Sequence, residues 1–169
     1  MNSRTALFEI CRWVAAVLIV VCLLTMFGGN RISDADPAAV EAAVIEQLDM
    51  SSMLKADNQM VKRLYGLDPA SFESCVLYYP NTNMMAEEVL ILKLKDTSQQ
   101  QSVRAAIEAR VETQKTTFDG YGVEQYALLT ENCVIDIRGN FVLFVVNADC
   151  AAAQKAFAGA LYGGNPNGI

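Results

Sequence analysis

The hydrophobic residues of this 169-residue chain are concentrated near its N-terminus. Eighteen residues without a formal charge separate Arg12 from Arg31, and the first fifteen of them are apolar except for Thr25. At about 1.5 Å per helical residue, the run spans about 27 Å, close to the roughly 30 Å of a bilayer's hydrocarbon core. The pattern therefore predicts a transmembrane helix that contacts the lipid bilayer through residues 13–30.

A cleaved signal peptide is the alternative to a retained anchor. Cleavage requires small residues at alternating positions near the end of the run, whereas Thr25, Met26 and Phe27 occupy that region. Cys22 follows three branched residues, which is a poor signal for lipid attachment. We therefore expect a signal anchor that is not cleaved.

Basic residues close to the span predict its orientation, because they resist translocation. Arg4 and Arg12 precede the run, while Arg31 alone follows it and gives way to acidic residues. The N-terminus is therefore expected in the cytoplasm, and the chain after the span on the extracytoplasmic side of the cell membrane.

The rest of the chain is interpreted as one domain. Residues 1–30 form the cytoplasmic N-terminus and anchor, 31–36 a short linker, 37–162 the domain and 163–169 a flexible tail. Residues 31–169 include eleven basic and eighteen acidic side chains. A domain of this length can bury its own core, and its acidity argues against nucleic acid as a partner.

Hydrophobic periodicity predicts eight elements in the order ααββαββα. Apolar residues recur with helical spacing in four segments, which are 37–50, 58–64, 97–118 and 149–161. Branched and aromatic residues mark four strands, which are 73–79, 88–95, 132–138 and 141–146. Residues 80–85 are predicted as a hairpin loop, 139–140 as a turn, and the segment around Tyr121 and Tyr126 as a loop.

The strand at 88–95 is expected to be half exposed. Its leucines lie on one face, while Lys93 and Lys95 lie on the other. The predicted fold class is therefore α+β: a two-layer sandwich of a four-stranded, mainly antiparallel sheet with helices on one face. The last strand, 141–146, is apolar on both faces and is placed centrally in the sheet.

Five short motifs occur in an order and spacing that resemble a known family. They are Tyr65 to Asp68, Tyr79-Pro80, Ala86 to Val89, Phe118 to Tyr121 and Gly139-Asn140-Phe141. Over about residues 37–160 the chain resembles the family catalogued as domain of unknown function 4358, found in surface-anchored proteins of Gram-positive bacteria. The resemblance implies an N-terminal lipoprotein or membrane anchor followed by an amphipathic helix. It implies no catalytic residue, because the family has no assigned activity.

The absence of histidine removes His-based triads, general bases and metal ligands. Cys75, Cys133 and Cys150 are interpreted as buried structural thiols or, alternatively, as including one disulfide. None of the three has a histidine to act as its base, so a catalytic thiol is not expected.

Other motifs give little support for catalysis or for a bound cofactor. The segment from Ser52 to Lys55 matches Ser-x-x-Lys, but the supporting motifs of penicillin-recognising enzymes are absent and the segment is placed in a loop. Asp36 precedes Pro37 and is interpreted as a helix cap rather than a calcium ligand. No cofactor and no metal site is predicted.

The best candidate for a binding surface is the first hairpin. Tyrosine and methionine are large and adaptable and are common in contact surfaces. The candidate binding residues are Tyr78, Tyr79, Met84, Met85 and Tyr121. The alternative is that these side chains fold back over the edge of the sheet as part of the core.

These observations favour a non-catalytic binding or interaction module at the bacterial cell surface, with an unknown protein or cell-envelope component as its partner. Two alternatives stay open. One is a hydrolase of envelope glycans that uses carboxylates such as Glu87, Glu88 and Asp136. The other is an accessory subunit of a membrane complex.

Overall fold

The structure of the protein is a computed structural model that describes residues 12–13 and 31–163. The chain divides into two units, residues 1–31 and 32–169. Within the described ranges, no helix has the length and hydrophobicity needed to cross a membrane. The predicted anchor at 13–30 lies outside the described residues except for Trp13, and so does the predicted tail after Gly163.

The described part of the second unit contains five α-helices and five β-strands. The helices are α1 (Pro37–Ile45), α2 (Asn58–Tyr65), α3 (Gln100–Phe118), α4 (Val123–Glu131) and α5 (Cys150–Tyr162). The strands are β1 (Met53–Lys55), β2 (Phe72–Pro80), β3 (Glu88–Leu94), β4 (Cys133–Arg138) and β5 (Phe141–Val146). Short 3-10 helices precede β2 and α3, at Pro69–Ser71 and Thr97–Gln99. The α+β class is thus confirmed.

Local capping explains where several helices begin and end. The Asp36 carboxylate accepts a hydrogen bond from the Ala38 N–H, as expected for a cap. Asp57 caps α2 in the same way by accepting from the Met60 N–H. Gly66 ends α2 with a φ of 67°, a left-handed conformation that glycine adopts without steric cost.

The sheet has five strands rather than the predicted four, in the order β1-β2-β3-β5-β4, and all neighbouring pairs are antiparallel. The additional strand, β1, pairs with the end of β2, and Leu54 lies opposite Tyr79. The sequence analysis placed this segment in a loop, because three residues are too few to show a period. Its extended form depends on pairing with a strand that is more than twenty residues away.

Helices cover both faces of the sheet, so the predicted two-layer sandwich is wrong. On the first face, α2, α3 and α4 pack against Leu90, Leu92 and Phe144. On the second face, α1 and α5 pack against Ile91 and Leu143. The architecture is therefore an α/β/α arrangement of three layers with a hydrophobic core on each side of the sheet.

Strand β3 is buried along its whole length, which corrects the prediction that it is half exposed. Lys93 lies in line with Val89 and Ile91, and these two residues belong to the second core. Its ammonium lies 5.5 Å from the centre of the Phe141 ring and 2.8 Å from the Glu73 carboxylate. The sequence pattern predicted an exposed face because it contains a lysine, but a lysine can be buried when its charge is paired.

The predicted loop between α3 and β4 is instead mostly helical, since α4 occupies residues 123–131. Helix α4 has only one buried residue, Leu129, and so it lacks the apolar stripe that identifies a helix from sequence. The Gln125 side chain accepts a hydrogen bond of 2.7 Å from the Ala86 N–H. This contact ties α4 to the loop between β2 and β3.

The segment before α1 is fixed to the domain through Ser33. The Ser33 N–H donates to Asn140 Oδ1 at 2.8 Å, and Asn140 Nδ2 donates back to the Ser33 carbonyl at 3.1 Å. The Ser33 hydroxyl also donates to the Leu161 carbonyl. Asn140 follows the β4–β5 turn beside the end of β3, because its carbonyl accepts from the Leu94 N–H. The chain therefore enters the domain at this end of the sheet.

Burial of both faces predicts that Ile91→Ala and Leu92→Ala destabilise the protein to a similar extent. Each removes a buried side chain from one of the two cores, at a cost of about 2–5 kcal/mol in the free energy of unfolding. Ile32→Ala removes an exposed side chain and should change it by less than about 0.5 kcal/mol. Urea denaturation of the purified variants measures all three. A value for Ile91→Ala close to that of the surface control would contradict the three-layer arrangement.

Candidate binding cleft

A fully buried carboxylate lies where the first core meets the beginning of β3. Glu88 is 0% exposed, and its partners come from α2 and α3. Tyr65 donates its hydroxyl to Oε1 at 2.5 Å, and Gln114 donates its amide to Oε2 at 2.9 Å. Arg110 donates from Nε and Nη2, with Nη2 2.9 Å from Oε2. The network thus compensates a charge that would be costly to bury alone.

The network changes the ionisation of Tyr65. Burial, followed by the adjacent Glu88 carboxylate, raises the pKa of the Tyr65 hydroxyl well above its ordinary value of 10.0. A deprotonated Tyr65 would place a second negative charge beside Glu88. Tyr65 is therefore held as a hydrogen-bond donor at neutral pH.

A cleft of about 430 Å³ opens beside this network, between α2, α3 and the edge of the sheet. Leu54 of β1 and Tyr79 of β2 supply part of its wall, at the position where these strands pair. The loop after β2 closes one side. The other lining residues are Met60, Arg63, Leu64, Pro80, Asn81, Thr82, Asn83, Met85, Arg110, Gln114, Thr117 and Phe118.

The charge of the cleft differs from that of the domain as a whole. Arg63 and Arg110 line it, whereas none of its described lining residues is acidic. Acidic residues nevertheless outnumber basic ones in this chain, 19 to 13. Glu88 faces Arg110 from beneath, and this pairing leaves Arg63 as the source of the net positive charge. The cleft is therefore better suited to an anion than to a cation.

The structure divides the predicted binding residues between two faces of the sheet. Tyr78 packs with the second core, and its hydroxyl donates to the Glu41 carboxylate of α1 at 2.6 Å. Tyr79 is its neighbour in the strand and lines the cleft on the first face. Because successive strand residues point in opposite directions, the two tyrosines cannot form one surface. Tyr78 therefore follows the alternative prediction, in which its side chain is part of the core and not of a binding surface.

The remaining predicted residues lie at or near the cleft. Met85 is half-buried in its wall, whereas Met84 is 66% exposed. Tyr121 is 63% exposed, and its ring packs against Phe118 at a centroid distance of 6.2 Å. Phe118 itself lines the cleft. Met84 and Tyr121 therefore extend the cleft outward as an apolar border.

Exposed apolar residues also lie on α4, which contacts the hairpin loop. Val123 and Tyr126 of α4 are exposed, and α4 is held against the hairpin loop by Gln125. We call Met84, Tyr121, Val123 and Tyr126 the apolar rim. A cluster of this kind next to a concave site is typical of a contact surface.

Two of the carboxylates considered for hydrolysis, Glu88 and Asp136, lie on opposite faces of the sheet. Glu88 lies on the first face of the sheet, under α3. Asp136 belongs to β4 and is bound by Arg138 and by Gln154 of α5, which lies on the second face. Glu88 and Asp136 are thus separated by the sheet, whereas a glycosidase needs its two carboxyl groups on either side of one bond.

The cysteines and the Ser-x-x-Lys segment are the remaining groups that were considered for catalysis. Cys75, Cys133 and Cys150 are all free thiols. Burial raises the pKa of Cys75 to about 11, and it also raises that of Cys133, so both are poor nucleophiles at neutral pH. Lys55 of β1 pairs with Glu41, and its ammonium lies 5.5 Å from the centre of the Tyr78 ring.

Sequence analysis missed Tyr65, Arg63, Arg110 and Gln114. Two signals point to the network in retrospect. Glu88 shares the strand face of Leu90 and Leu92, and Gln114 continues the helical stripe of Val103, Ile107 and Val111. A polar residue within an apolar stripe requires a buried partner. The sequence does not show that these two residues are partners, because only the packing of α3 on β3 brings them together.

The fold and cleft define a three-layer α/β/α domain with a buried carboxylate network beneath a positively charged groove. The model of the family described as domain of unknown function (DUF4358) matches residues 46–147, which is more than half of the chain. This protein therefore belongs to that family, as its short motifs predicted. The match covers β1 to β5 and includes all the residues that line the cleft. No curated protein and no solved structure matches the chain.

The raised pKa of Tyr65 predicts a specific loss of stability in alkali. The folded state keeps the Tyr65 proton above pH 10, whereas the unfolded state releases it, so the stabilising contribution is complete below pH 10 and falls as the pH rises beyond it. The slope is about 1.4 kcal/mol per pH unit. Tyr65→Phe lacks this ionisation. The difference in unfolding free energy between the wild type and Tyr65→Phe should therefore shrink as the pH rises from 10.

Urea denaturation at a series of pH values measures this difference. Ile91→Ala provides the control, because it removes a buried apolar side chain and no ionisable group. Its difference from the wild type should stay constant over the same pH range. A constant difference for Tyr65→Phe as well would show that Tyr65 is not held in a buried site beside a charge.

Proposed function

We propose that this protein is a non-catalytic binding module, anchored in the cell membrane by residues 13–30, whose domain after Arg31 is extracytoplasmic. The cleft lined by Arg63 and Arg110 is its binding site. The observation that carries the proposal is a net positive charge from Arg63, without a lining carboxylate, in a concave part of an acidic domain. Such a groove attracts anionic groups and fixes their orientation.

The position of the cleft supports a role in contacts with a partner. The chain enters the domain beside Asn140, next to the end of β3. The cleft lies at the beginning of β3, beyond Glu88, at the opposite end of this seven-residue strand. The strand alone separates these two ends by about 20 Å. The site therefore lies away from the point where the chain enters the domain.

The apolar rim supports the same conclusion. Met84 and Tyr121 are exposed beside the wall formed by Met85 and Phe118. An anionic group held in the cleft would leave the rest of a larger partner over these side chains, and methionine and tyrosine adapt well to such contacts. A macromolecular partner therefore fits better than a small ion.

The binding role is tested by site-specific photocrosslinking in intact cells. A photoreactive residue at Asn83, which lines the cleft, should give a discrete adduct, and Arg63→Ala in the same chain should abolish it. The matched control places the photoreactive residue at Lys155, which is exposed on α5 on the other face of the sheet. Equal adducts at both positions, or an Asn83 adduct that persists in Arg63→Ala, would contradict the proposal.

The location is tested with a membrane-impermeant maleimide. The five native cysteines are first replaced by alanine, and a single cysteine is introduced as Ser3→Cys or as Lys155→Cys. In intact cells, K155C should be labelled and S3C protected, and permeabilisation should expose both. The reverse pattern would show that the orientation is wrong, and labelling of neither before permeabilisation would place the domain inside the cell.

A further inference from the structure

The Arg63 guanidinium has no strong partner among the described residues. Its one hydrogen bond there runs from Nη2 to the thioether of Met60, which is a weak acceptor. Asp57 lies near it on α2, but its carboxylate caps the helix and is not within ion-pair distance of Arg63. Arg63 lines the cleft, so most of its five N–H donors are available to a ligand there.

The buried network engages only some of the N–H donors of Arg110. Its Nε and Nη2 donate to Glu88, while Nη1 makes no hydrogen bond to a described residue. Its position is fixed by Glu88, since two donors on one edge of the planar guanidinium engage the carboxylate. Arg110 thus presents a fixed donor in the wall opposite α2, and Arg63 presents a movable one.

Gln114 provides a hydrogen-bond acceptor that has no donor partner among the described residues. The residue is 5% exposed, and its amide nitrogen donates to Glu88. Its amide oxygen is buried and has no hydrogen-bond partner among the described residues. An unpaired buried carbonyl is costly, and Gln114 lines the cleft, so a ligand that supplies an N–H there would remove the cost.

We infer that the cleft recognises a peptide through a carboxylate and the amide N–H next to it. The carboxylate accepts from Arg63 and from Nη1 of Arg110, and the N–H donates to Oε1 of Gln114. A peptide supplies this pair of groups in two ways: at its C-terminal residue, or at an internal aspartate or glutamate. Leu64, Met85 and Phe118 give the remaining wall an apolar character that suits a neighbouring aliphatic side chain.

This inference rests on the proposed binding role of the cleft and specifies its ligand class. A simple anion such as phosphate would accept hydrogen bonds from the two arginines. It has no amide N–H next to its charge that could donate to Gln114. The combination of two guanidinium groups with an acceptor therefore favours a peptide.

The inference is tested by isothermal titration calorimetry of the full chain in a non-ionic detergent. Three probes are used: N-acetyl-Ala-Ala-Leu with a free carboxylate, the same peptide as its C-terminal amide, and N-acetyl-Ala-Glu-Leu amide. The neutral amide should bind at least about ten-fold more weakly than the better of the two acidic peptides, as expected for loss of charged hydrogen bonds. Whichever acidic peptide binds more tightly identifies a terminal or a side-chain carboxylate.

Two further comparisons isolate the protein groups. Arg63→Ala should weaken binding of the acidic peptide about ten-fold. The control is Arg104→Ala, which should leave the affinity unchanged, because Arg104 is an exposed arginine paired with Glu108 on α3. Methylation of the amide nitrogen beside the carboxylate should also weaken binding, because it removes the donor to Gln114 without altering the protein. Thermal unfolding of both arginine variants serves as the folding control.

The outcomes separate this inference from the proposed function. Equal binding of the neutral and acidic peptides, binding of inorganic phosphate as tight as that of the acidic peptide, or no binding of any peptide would overturn the ligand class. If the Arg63-dependent adduct at Asn83 were still observed, the cleft would be a binding site for a different ligand. Loss of that adduct as well would overturn the proposed function.

Discussion

Strands β3 and β5 are apolar on both faces, and the rest of the domain is arranged to cover them. Antiparallel sheets often leave one face to solvent. In β3, however, Leu90 and Leu92 lie on one face, and Val89 and Ile91 lie on the other. Either face would therefore expose hydrophobic side chains if no helix covered it. Helices α2, α3 and α4 cover one side, and α1 and α5 cover the other. The half-buried edge strand β4 and the short β1 form the two edges of the sheet.

The same constraint makes the Glu88 network necessary. Glu88 opens a strand that is buried along its whole length, and its carboxylate lies under α3. Removal of one partner from such a pair typically costs about 3–5 kcal/mol, because the remaining charge stays buried. Tyr65, Arg110 and Gln114 therefore act as a unit that connects α2, α3 and β3.

The cleft and its supporting network lie within the region shared with the family. The match extends from residue 46 to 147, whereas α1 precedes it and α5 follows it. The first face of the sheet, with its helices and cleft, is thus a feature of the family domain. The helices of the second face complete the second core, and the contacts of Ser33 with Asn140 and Leu161 join the N-terminal segment to it.

Much of the secondary structure could be predicted from local sequence. The bounds of α2, the two hairpins and the long helix α3 followed from capping residues, turn residues and apolar spacing, all of which act within a few positions. Elements without such signals were missed. Strand β1 is too short to show a period, and α4 buries only Leu129. The chemistry of the candidate site was predicted only in part, since Tyr79 and Met85 line the cleft while Tyr78 contacts α1.

The sequence by itself determined the α+β class, the membership of the family and the acidic character of the domain, because these depend on composition, short motifs and local periodicity. Only the tertiary structure decided that helices cover both faces and that Lys93 is buried beside Glu73. It also decided that Glu88 pairs with Arg110 of α3, which lies more than twenty residues away along the chain. Because Arg110 is neutralised by this pairing, Arg63 supplies the positive charge of the cleft. Such pairings depend on how the helices pack on the sheet, and no local pattern of residues specifies that packing.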